Sequence, residues 1–455
     1  MSDFQRIAVL DIGKTNAKVV IFDAASGAEI EMRRMPNRVL SGPPYPHYDV
    51  EALWSFLIES LAAFAKQPGF DAISITTHGA AAALINVDGK LALPVLDYEH
   101  QYSEEIQRAY NAIRPDFAET FSPRLSGGLN LGAQIHYQKT AFPDAFSSVR
   151  TILTYPQYWA FRLSGVAANE VTSLGCHTDL WRPHEGRYSS LVEALGIDNL
   201  MAPVHSAFDQ VGTILPEIAS GIALPRPVPV FCGIHDSNAS LLPYLAGREV
   251  PFAVVSTGTW VINFAVGGDI DRLDPTRDTL ANVDAYGRVV PSARFMGGRE
   301  FEVLSAELGA LDQDRMMNVL PGVIEKRLML LPNIATGSGP FPGRQMRWLK
   351  DEGASSDERW AAACLYFALM TQTCLDLARA KGPTLVEGPF ALNALYLSLL
   401  TGLTGREVIA VPGSTGTSQG AALLAGIAPA ARKGVSAVAI DEVDLVGYRE
   451  QWLHQ

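Results

Sequence analysis

Runs of four apolar residues rich in β-branched side chains open the chain: Ile7–Leu10, then Val19–Phe22, with the polar stretch Asp11–Lys18 between them. Two such runs around a Gly-containing loop predict a hairpin rather than a helix. Leu53, Phe56, Leu57, Leu61 and Phe64 then recur at spacings of three and four, which predicts a helix within 48–66. Ala72–Thr76 reads as a strand that ends in Thr77-His78-Gly79, and Leu84-Ile85 and Leu91–Leu96 continue the β pattern. Strands followed by helices throughout predict an α/β protein.

The opening plan returns in the second half. Phe252–Val255, Ser256–Thr259 and Trp260–Phe264 repeat strand, Gly-Thr loop, strand, with Asp11-Ile12-Gly13 aligned on Ser256-Thr257-Gly258, 245 residues later. Repetition at that distance points to two similar domains with a cleft between them, although two hairpins can also look alike by chance. The proline-rich stretch 224–230 predicts an extended connector entering a sheet edge at Val230–Cys232, with a domain boundary near 240–250. Trp360, Cys364, Phe367, Met370, Cys374 and Leu377 predict an amphipathic helix over 357–381, stopped by Gly382-Pro383. Strand Thr384–Val386 leads into Glu387-Gly388-Pro389 and a helix from about Leu392. The tail after Gly426, with Val443–Tyr448 and Trp452, reads either as a cap on the second domain or as a homodimer contact.

Composition narrows the class. The 455 residues are 48% hydrophobic, enough for large cores and too apolar for a disordered chain. A net charge of −12 argues against bulk affinity for nucleic acid or anionic membrane. There is no apolar run long enough to span a bilayer. The opening Met1–Arg6 lacks the pattern of a signal peptide, so a cytoplasmic protein is expected. Cys176, Cys232, Cys364 and Cys374 show no C-x-x-C spacing and read as buried apolar residues.

Several motifs carry chemistry. Gly13-Lys14-Thr15 resembles the end of a P-loop, but position 8 is Ala8 and a strand follows the lysine where a P-loop needs a helix. What remains is a donor-rich turn after Asp11, suited to phosphate oxygens and a water-mediated Mg²⁺, or simply a turn. Ser256-Thr257-Gly258-Thr259 is a second such turn. Asp236, in Gly233-Ile234-His235-Asp236, lies after a strand, where it can serve as general base or as a helix N-cap; the two roles are compatible. His78-Gly79 and Asp97-Tyr98-Glu99-His100 are polar clusters that can hydrogen-bond sugar hydroxyls; no close pair of metal ligands on a helix accompanies them. Gly416-Thr417-Ser418-Gln419-Gly420 matches the hydrolase G-x-S-x-G, but the only histidine after it is His454, near the C-terminus. A hydrolase is therefore set aside.

Taken in order, these positions resemble the FGGY carbohydrate kinases of the actin-like ATPase superfamily. Asp11–Asn16 is similar to that family's first phosphate loop, Tyr158–Gly165 with Asn169–Ser173 to its middle segment, and Gly233–Asp236 to its catalytic motif. Ser256–Trp260 is similar to the second phosphate loop, and Glu387–Asn393 with Gly416–Ala422 to the adenine-side segments. The resemblance implies an α/β fold of two ribonuclease-H-like domains, 1–245 and 246–455, with ATP and a sugar meeting in the inter-domain cleft. Residues 1–245 would carry the sugar side, first phosphate loop and catalytic Asp; 246–455 the second phosphate loop and adenine side.

The same resemblance implies roles. Asp236 would be the base and Asp11 the Mg²⁺-side carboxylate. Gly13, Lys14, Thr15, Asn16, Ser256, Thr257, Gly258, Thr259, Gly388 and Asn393 would bind nucleotide. His78, Gly79, Asp97, Glu99, His235 and Trp260 would face the sugar, with Asn130 and Gln134 as further candidates. Lys14 departs from the family loop, which has Gly-Thr directly. His235-Asp236 with Ser256–Trp260 is closest to the rhamnulokinase and fuculokinase group, so L-rhamnulose or L-fuculose, phosphorylated on the 1-hydroxyl, is the expected substrate. Trp260 or Ala80–Ala83 would wall the deoxy methyl group. Other ketoses or polyols (xylulose, ribulose, erythritol) and a sugar-independent actin-like ATPase are the alternatives.

Overall fold

In a computed structural model, the described residues are 4–413, 416–427, 434–440 and 443–455. Residues 1–3 of the opening read above lie outside them. The chain divides into two compact units: Met1–Arg248 with Ala281–Val289 and Gly416–Ala431, and Glu249–Leu280 with Val290–Thr415 and Arg432–Gln455. This differs from a single cut at 245/246. The apolar side chains of the late helix Thr417–Leu423 explain why: Ala421, Ala422 and Leu423 are buried in one cluster with Ile7, Val9, Val20 and Phe22 of the opening hairpin.

The sheet of the first unit runs in the order Gln210–Thr213, Pro229–Phe231, Ala72–Thr77, Arg6–Ile12, Asn16–Asp23, Glu29–Pro36, with Ile234–His235 also paired to Ala72–Thr77. Side chains alternate across it. Ala8, Leu10 and Ile12 enter a core with the helices Val50–Lys66 and Tyr155–Ser164. Ile7 and Val9 enter the opposite core, with the helices Asp236–Gly247 and Thr417–Leu423. A sheet buried on both faces explains why Ile7–Leu10 is continuously apolar rather than alternating. The alternation also puts Asp11 on the face of Ile7 and Val9.

Two expectations are corrected. Pro229–Phe231 is not an edge strand, because Gln210–Thr213 pairs outside it. The strand's proline is tolerated because Pro229 is its first residue, where a missing N–H costs little. The long helix, Ser356–Leu377, is not amphipathic but buried on almost every side. It lies within the second unit's core, against the helices Gln313–Lys326 and Ala394–Thr404 and the strand Met329–Leu331. Its stripe of apolar residues was legible; the burial of Ala361–Ala363 and Thr371 around the remaining faces was not.

The second sheet centres on Val289–Phe295, Val261–Val266, Phe252–Thr257, Thr384–Glu387, Val408–Val411 and Val435–Ser436. The internal echo is a repeat of topology. Arg6–Ile12 is antiparallel to the next strand and parallel to Ala72–Thr77; Phe252–Thr257 is antiparallel to the next strand and parallel to Thr384–Glu387. The tail forms the helix Leu445–His454, whose Leu445, Tyr448 and Trp452 are buried in the second unit's core. Tyr448 Oη and Trp452 Nε1 each donate a 2.7 Å hydrogen bond, to the carbonyls of Leu328 and Leu330. These residues cap their own unit. All four cysteines are buried. Among the described residues no helix is long and apolar enough to cross a membrane.

Gly420 sets how closely two helices of the first unit approach. A Cβ built there would stand 1.7 Å from the carbonyl oxygen of Ala239. Gly420→Ala must therefore push Thr417–Leu423 away from Asp236–Gly247. Overpacking of this kind costs about 1–3 kcal/mol, so the urea midpoint should fall, and an unchanged midpoint would contradict the close approach.

Candidate functional site

Strand register gathers the polar residues of the first unit. Asp11 pairs with Thr76 and Ile12 with Thr77, while Ile234 and His235 pair with the same Thr76 and Thr77 from the other side. All three strands run parallel, so Asp11, His78 and Asp236 sit at the carboxyl ends of neighbouring strands. Ligands bind there in open α/β sheets because the faces are already filled.

Asp236 is the first residue of the helix Asp236–Gly247, and His235 holds the cap position without a side-chain cap bond. The aspartate is therefore not the N-cap. His235 Nε2 lies 3.2 Å from Asp236 Oδ1, and Asn238 Nδ2, which can only donate, lies 3.5 Å from His235 Nδ1. With Nδ1 accepting, the His235 proton sits on Nε2, the ring nitrogen nearer the carboxylate. Burial pushes His235 down to about 4, so the ring is neutral near pH 7. Burial raises the Asp236 carboxyl above its ordinary value, while His78 and the N–H and hydroxyl of Ser237 pull it back.

His78 is the most telling side chain. It is only 4% exposed, and burial pushes it down to about 4. Its Nδ1 donates to the carbonyl of Gly79 at 2.8 Å, which leaves Nε2 as a buried lone pair with no hydrogen-bond partner. Tyr48, Tyr98 and Tyr155 surround the ring, with centroids 4.8, 5.7 and 5.0 Å away. Gly79 is required by packing, because a Cβ there would stand 2.6 Å from His235 Nε2.

Lys14 differs from its expected place. Its ammonium binds Asp97 directly, lies 3.6 Å from Glu99 Oε2, and sits 4.4 Å over the ring of Tyr98. It thus lies beside Asp97 and Glu99, two of the residues expected on the sugar side, and Asp97 is buried. The remaining turn, Gly13–Asn16, exposes Thr15 and Asn16 and is braced from behind by Asn37. The Asn37 amide Nδ2 donates to the Gly13 carbonyl, and its backbone N–H donates to Thr15 O, both at 2.9 Å. Asn130 is committed elsewhere: its side chain binds the carbonyls of Pro123 and His177 and the N–H of Leu125. Gln134 donates to the carbonyls of Ala80 and Gly128 and keeps its own Oε1 unpartnered.

Asp11 is held by a residue of the Gly416–Ala422 segment, which matches both the hydrolase pattern and the family's adenine-side segment. Ser418, itself buried, donates its hydroxyl to Asp11 Oδ2, and Lys18 Nζ lies 3.6 Å from the same oxygen. Burial raises the Asp11 carboxyl; Lys18 and Ser418 lower it, and the charge of Asp236 raises it further. Two carboxylates that repel one another suit a hard divalent cation. Among the described residues no group of three or more His, Cys, Asp or Glu could hold a metal ion. The Asp11 and Asp236 carboxylates are hard oxygen donors of the kind Mg²⁺ accepts, an ion that keeps much of its shell as water and substrate phosphate.

In the second unit, Gly258 and Thr259 are exposed at the turn, and the helix Gly297–Leu308 begins against it. A Cβ on Gly298 would stand 1.9 Å from the Gly258 carbonyl oxygen, so only glycine fits. A helix N-terminus beside an exposed turn favours anions. Gly297 and Gly298 carried no recognised signal in the sequence. Ser256 donates to Glu387 Oε1 at 2.8 Å. Thr257 is buried; its hydroxyl donates to the Glu387 carbonyl and accepts the N–H of Phe390. Gly388 has φ +78°, and a Cβ there would meet the Thr257 carbonyl at 2.0 Å. Asn393 caps the helix Ala394–Thr404 through the N–H of Tyr396. Thr257, Gly388 and Asn393 thus brace the turn and the following helix with the groups expected to touch nucleotide. Trp260 belongs to this second unit, and the guanidinium of Arg294 covers its ring at 4.6 Å, so that face is closed to a methyl group.

Residues 6–243 match the family model described as "FGGY family of carbohydrate kinases, N-terminal domain", and residues 249–433 match "Carbohydrate kinase FGGY, C-terminal domain". The crystal structure of a carbohydrate kinase from Novosphingobium aromaticivorans aligns with a TM-score of 0.91 at 36% identity, covering 98% of this chain and 99% of that one. A xylulose kinase from Rhodospirillum rubrum aligns with a TM-score of 0.81 at 16% identity, covering 99% and 98%. An L-fuculokinase of Salmonella typhi is 23% identical over 273 residues, 58% of this chain and 57% of that protein. The match thus spans a little over half the length of that curated relative.

Both buried histidines bind fewer protons in the folded chain than in the unfolded one. Their contribution to stability is therefore present above the usual value of 6.5 and lost as pH falls toward about 4. Nitrogen-15 shifts at pH 6 should show His78 protonated on Nδ1 and His235 on Nε2, both neutral. A charged imidazolium at either position would contradict this environment.

Proposed function

Since the chain belongs to the FGGY family of carbohydrate kinases, we propose that it transfers the γ-phosphoryl group of ATP to a hydroxyl of a ketose. The observation that carries this reading is the unpartnered Nε2 of His78. A neutral, buried acceptor among three tyrosines, whose protonation the nearby Asp236 influences, is satisfied by a hydroxyl-bearing ligand. An ATPase without a sugar has no use for it.

In this reading the sugar lies against Tyr48, Tyr98 and Tyr155, and one of its hydroxyls donates to His78. Asp236 accepts the proton of the attacking hydroxyl as its oxygen bonds to the γ-phosphorus and ADP leaves. His235 holds the carboxylate oriented, and its neutral ring does not compete as a base. Asp11, with Asp236 nearby, would hold Mg²⁺ through water, and the ion would neutralise charge on the phosphates. The exposed turns at Thr15-Asn16 and Gly258-Thr259 would supply phosphate donors. Residues 1–245 would thus carry the sugar side, the first phosphate loop and the catalytic Asp, and 246–455 the second phosphate loop and the adenine side.

The L-fuculokinase relative supports the choice of a 6-deoxy-ketohexose, L-fuculose or L-rhamnulose, phosphorylated on the 1-hydroxyl. With Trp260 covered by Arg294, the buried Ala80–Ala83 run is the remaining wall for the methyl group. The test is ADP release from Mg-ATP with L-fuculose, L-rhamnulose, D- and L-xylulose, D- and L-ribulose, erythritol and glycerol. One ketose should stimulate release strongly, and Asp236→Asn should lower that turnover at least about 100-fold, about 2.7 kcal/mol of transition-state stabilisation. ATP turnover indifferent to every sugar, or unchanged in Asp236→Asn, would sink the proposal.

Lys14 allows a finer test. Because it binds Asp97 beneath Tyr98, Lys14→Met should raise KM for the sugar at least about fivefold and leave KM for ATP within about twofold. The reverse pattern would return Lys14 to the phosphate side.

A further inference from the structure

The segment Asn169–Ser173 has no task in the reaction as described so far, yet it reaches the catalytic aspartate. Glu170 is completely buried. Its carboxylate accepts the N–H of Thr172 at 2.9 Å, the N–H of Ser173 at 3.3 Å and the hydroxyl of Thr172 at 2.5 Å. With its proton committed to Glu170, the Thr172 hydroxyl turns a lone pair outward. That lone pair accepts the backbone N–H of His235 at 3.1 Å. His235 is the residue before Asp236, and its ring Nε2 lies 3.2 Å from Asp236 Oδ1.

The chain needs holding at this point. Gly233 has φ +90°, so the path from Pro229–Phe231 into Ile234–His235 bends through a conformation that only glycine adopts readily. The bend interrupts the regular ladder and leaves backbone groups to be satisfied by side chains. Gln157 does so on one side, donating to the carbonyls of Cys232 and Gly233 at 3.0 Å each. Thr172 does so at the far end, on His235. Every member of this set is buried, so water offers little competition for the bonds.

We propose that Thr172, fixed by the carboxylate of Glu170, is a positioning residue that anchors the His235 backbone and thereby aims Asp236 at the acceptor hydroxyl. This rests on the kinase reading for its catalytic consequence, while the Thr172–His235 link can be read without turnover. A displacement of about 1 Å at a catalytic group can cost about 10²-fold, so the hydroxyl should matter to rate more than to affinity.

The experiment compares Thr172→Val, which keeps the volume and removes the hydroxyl, with Thr172→Ser, which keeps the hydroxyl. The Val variant should lower kcat at least about tenfold with KM for ATP within about twofold, and Ser should restore kcat to within about threefold. Amide hydrogen exchange at His235 should accelerate at least about tenfold in Thr172→Val and not in Thr172→Ser. Wild-type kcat in the Val variant, equal impairment in both variants, or unchanged His235 exchange would each overturn the proposal. A wild-type chain inactive on every sugar, with exchange still responding to Thr172→Val, would count against the kinase reading and for the anchor.

Discussion

A sheet covered on both faces leaves only its strand ends for polar chemistry, and the first unit is built around that constraint. Ala8, Leu10 and Ile12 fill one core; Ile7 and Val9 fill the other. Neither face has room for a charged group at low cost. Parallel pairing of Arg6–Ile12 and Ile234–His235 with Ala72–Thr77 then delivers Asp11, His78 and Asp236 to the same edge. The pairing that fills the hydrophobic core is also what assembles the site.

Burial sets the proton inventory there. It pushes both histidines down and both aspartates up, by the same cause acting on opposite charges. Two neutral imidazoles result, one offering a lone pair and one a proton, beside carboxyl groups that helix N–H groups, Ser418 and Lys18 pull back toward ionisation. Environment separates the two rings: His78 keeps a lone pair free to accept, and His235 carries its proton on Nε2.

Which residues touch ligand and which hold those that do was hard to read because both jobs use the same side chains. Thr257 and Asn393 lie within recognisable motifs, yet Thr257 ties the turn to Glu387 and Phe390, and Asn393 caps a helix. Ser418 matched a hydrolase pattern and is instead the partner of Asp11, 407 residues away in sequence. Lys14 stood in a phosphate-loop pattern and reaches sideways to Asp97. Asn37 and Tyr48 had no local signal, and Thr172 lay in a recognised segment with no role attached, since their importance lies in what stands beside them.

The sequence by itself determined the α/β class, the paired hairpin plan and the family, because each is written in local periodicity or in short runs of adjacent residues. Tertiary structure alone decided the grouping of Gly416–Ala431 with the first unit, the enclosure of Ser356–Leu377, the covering of Trp260 by Arg294, and the pairing of Asp11 with Ser418. Those outcomes depend on close approach between segments far apart in the chain. Spacing along a sequence specifies which face a side chain takes on its own strand or helix, but not what will be packed against that face.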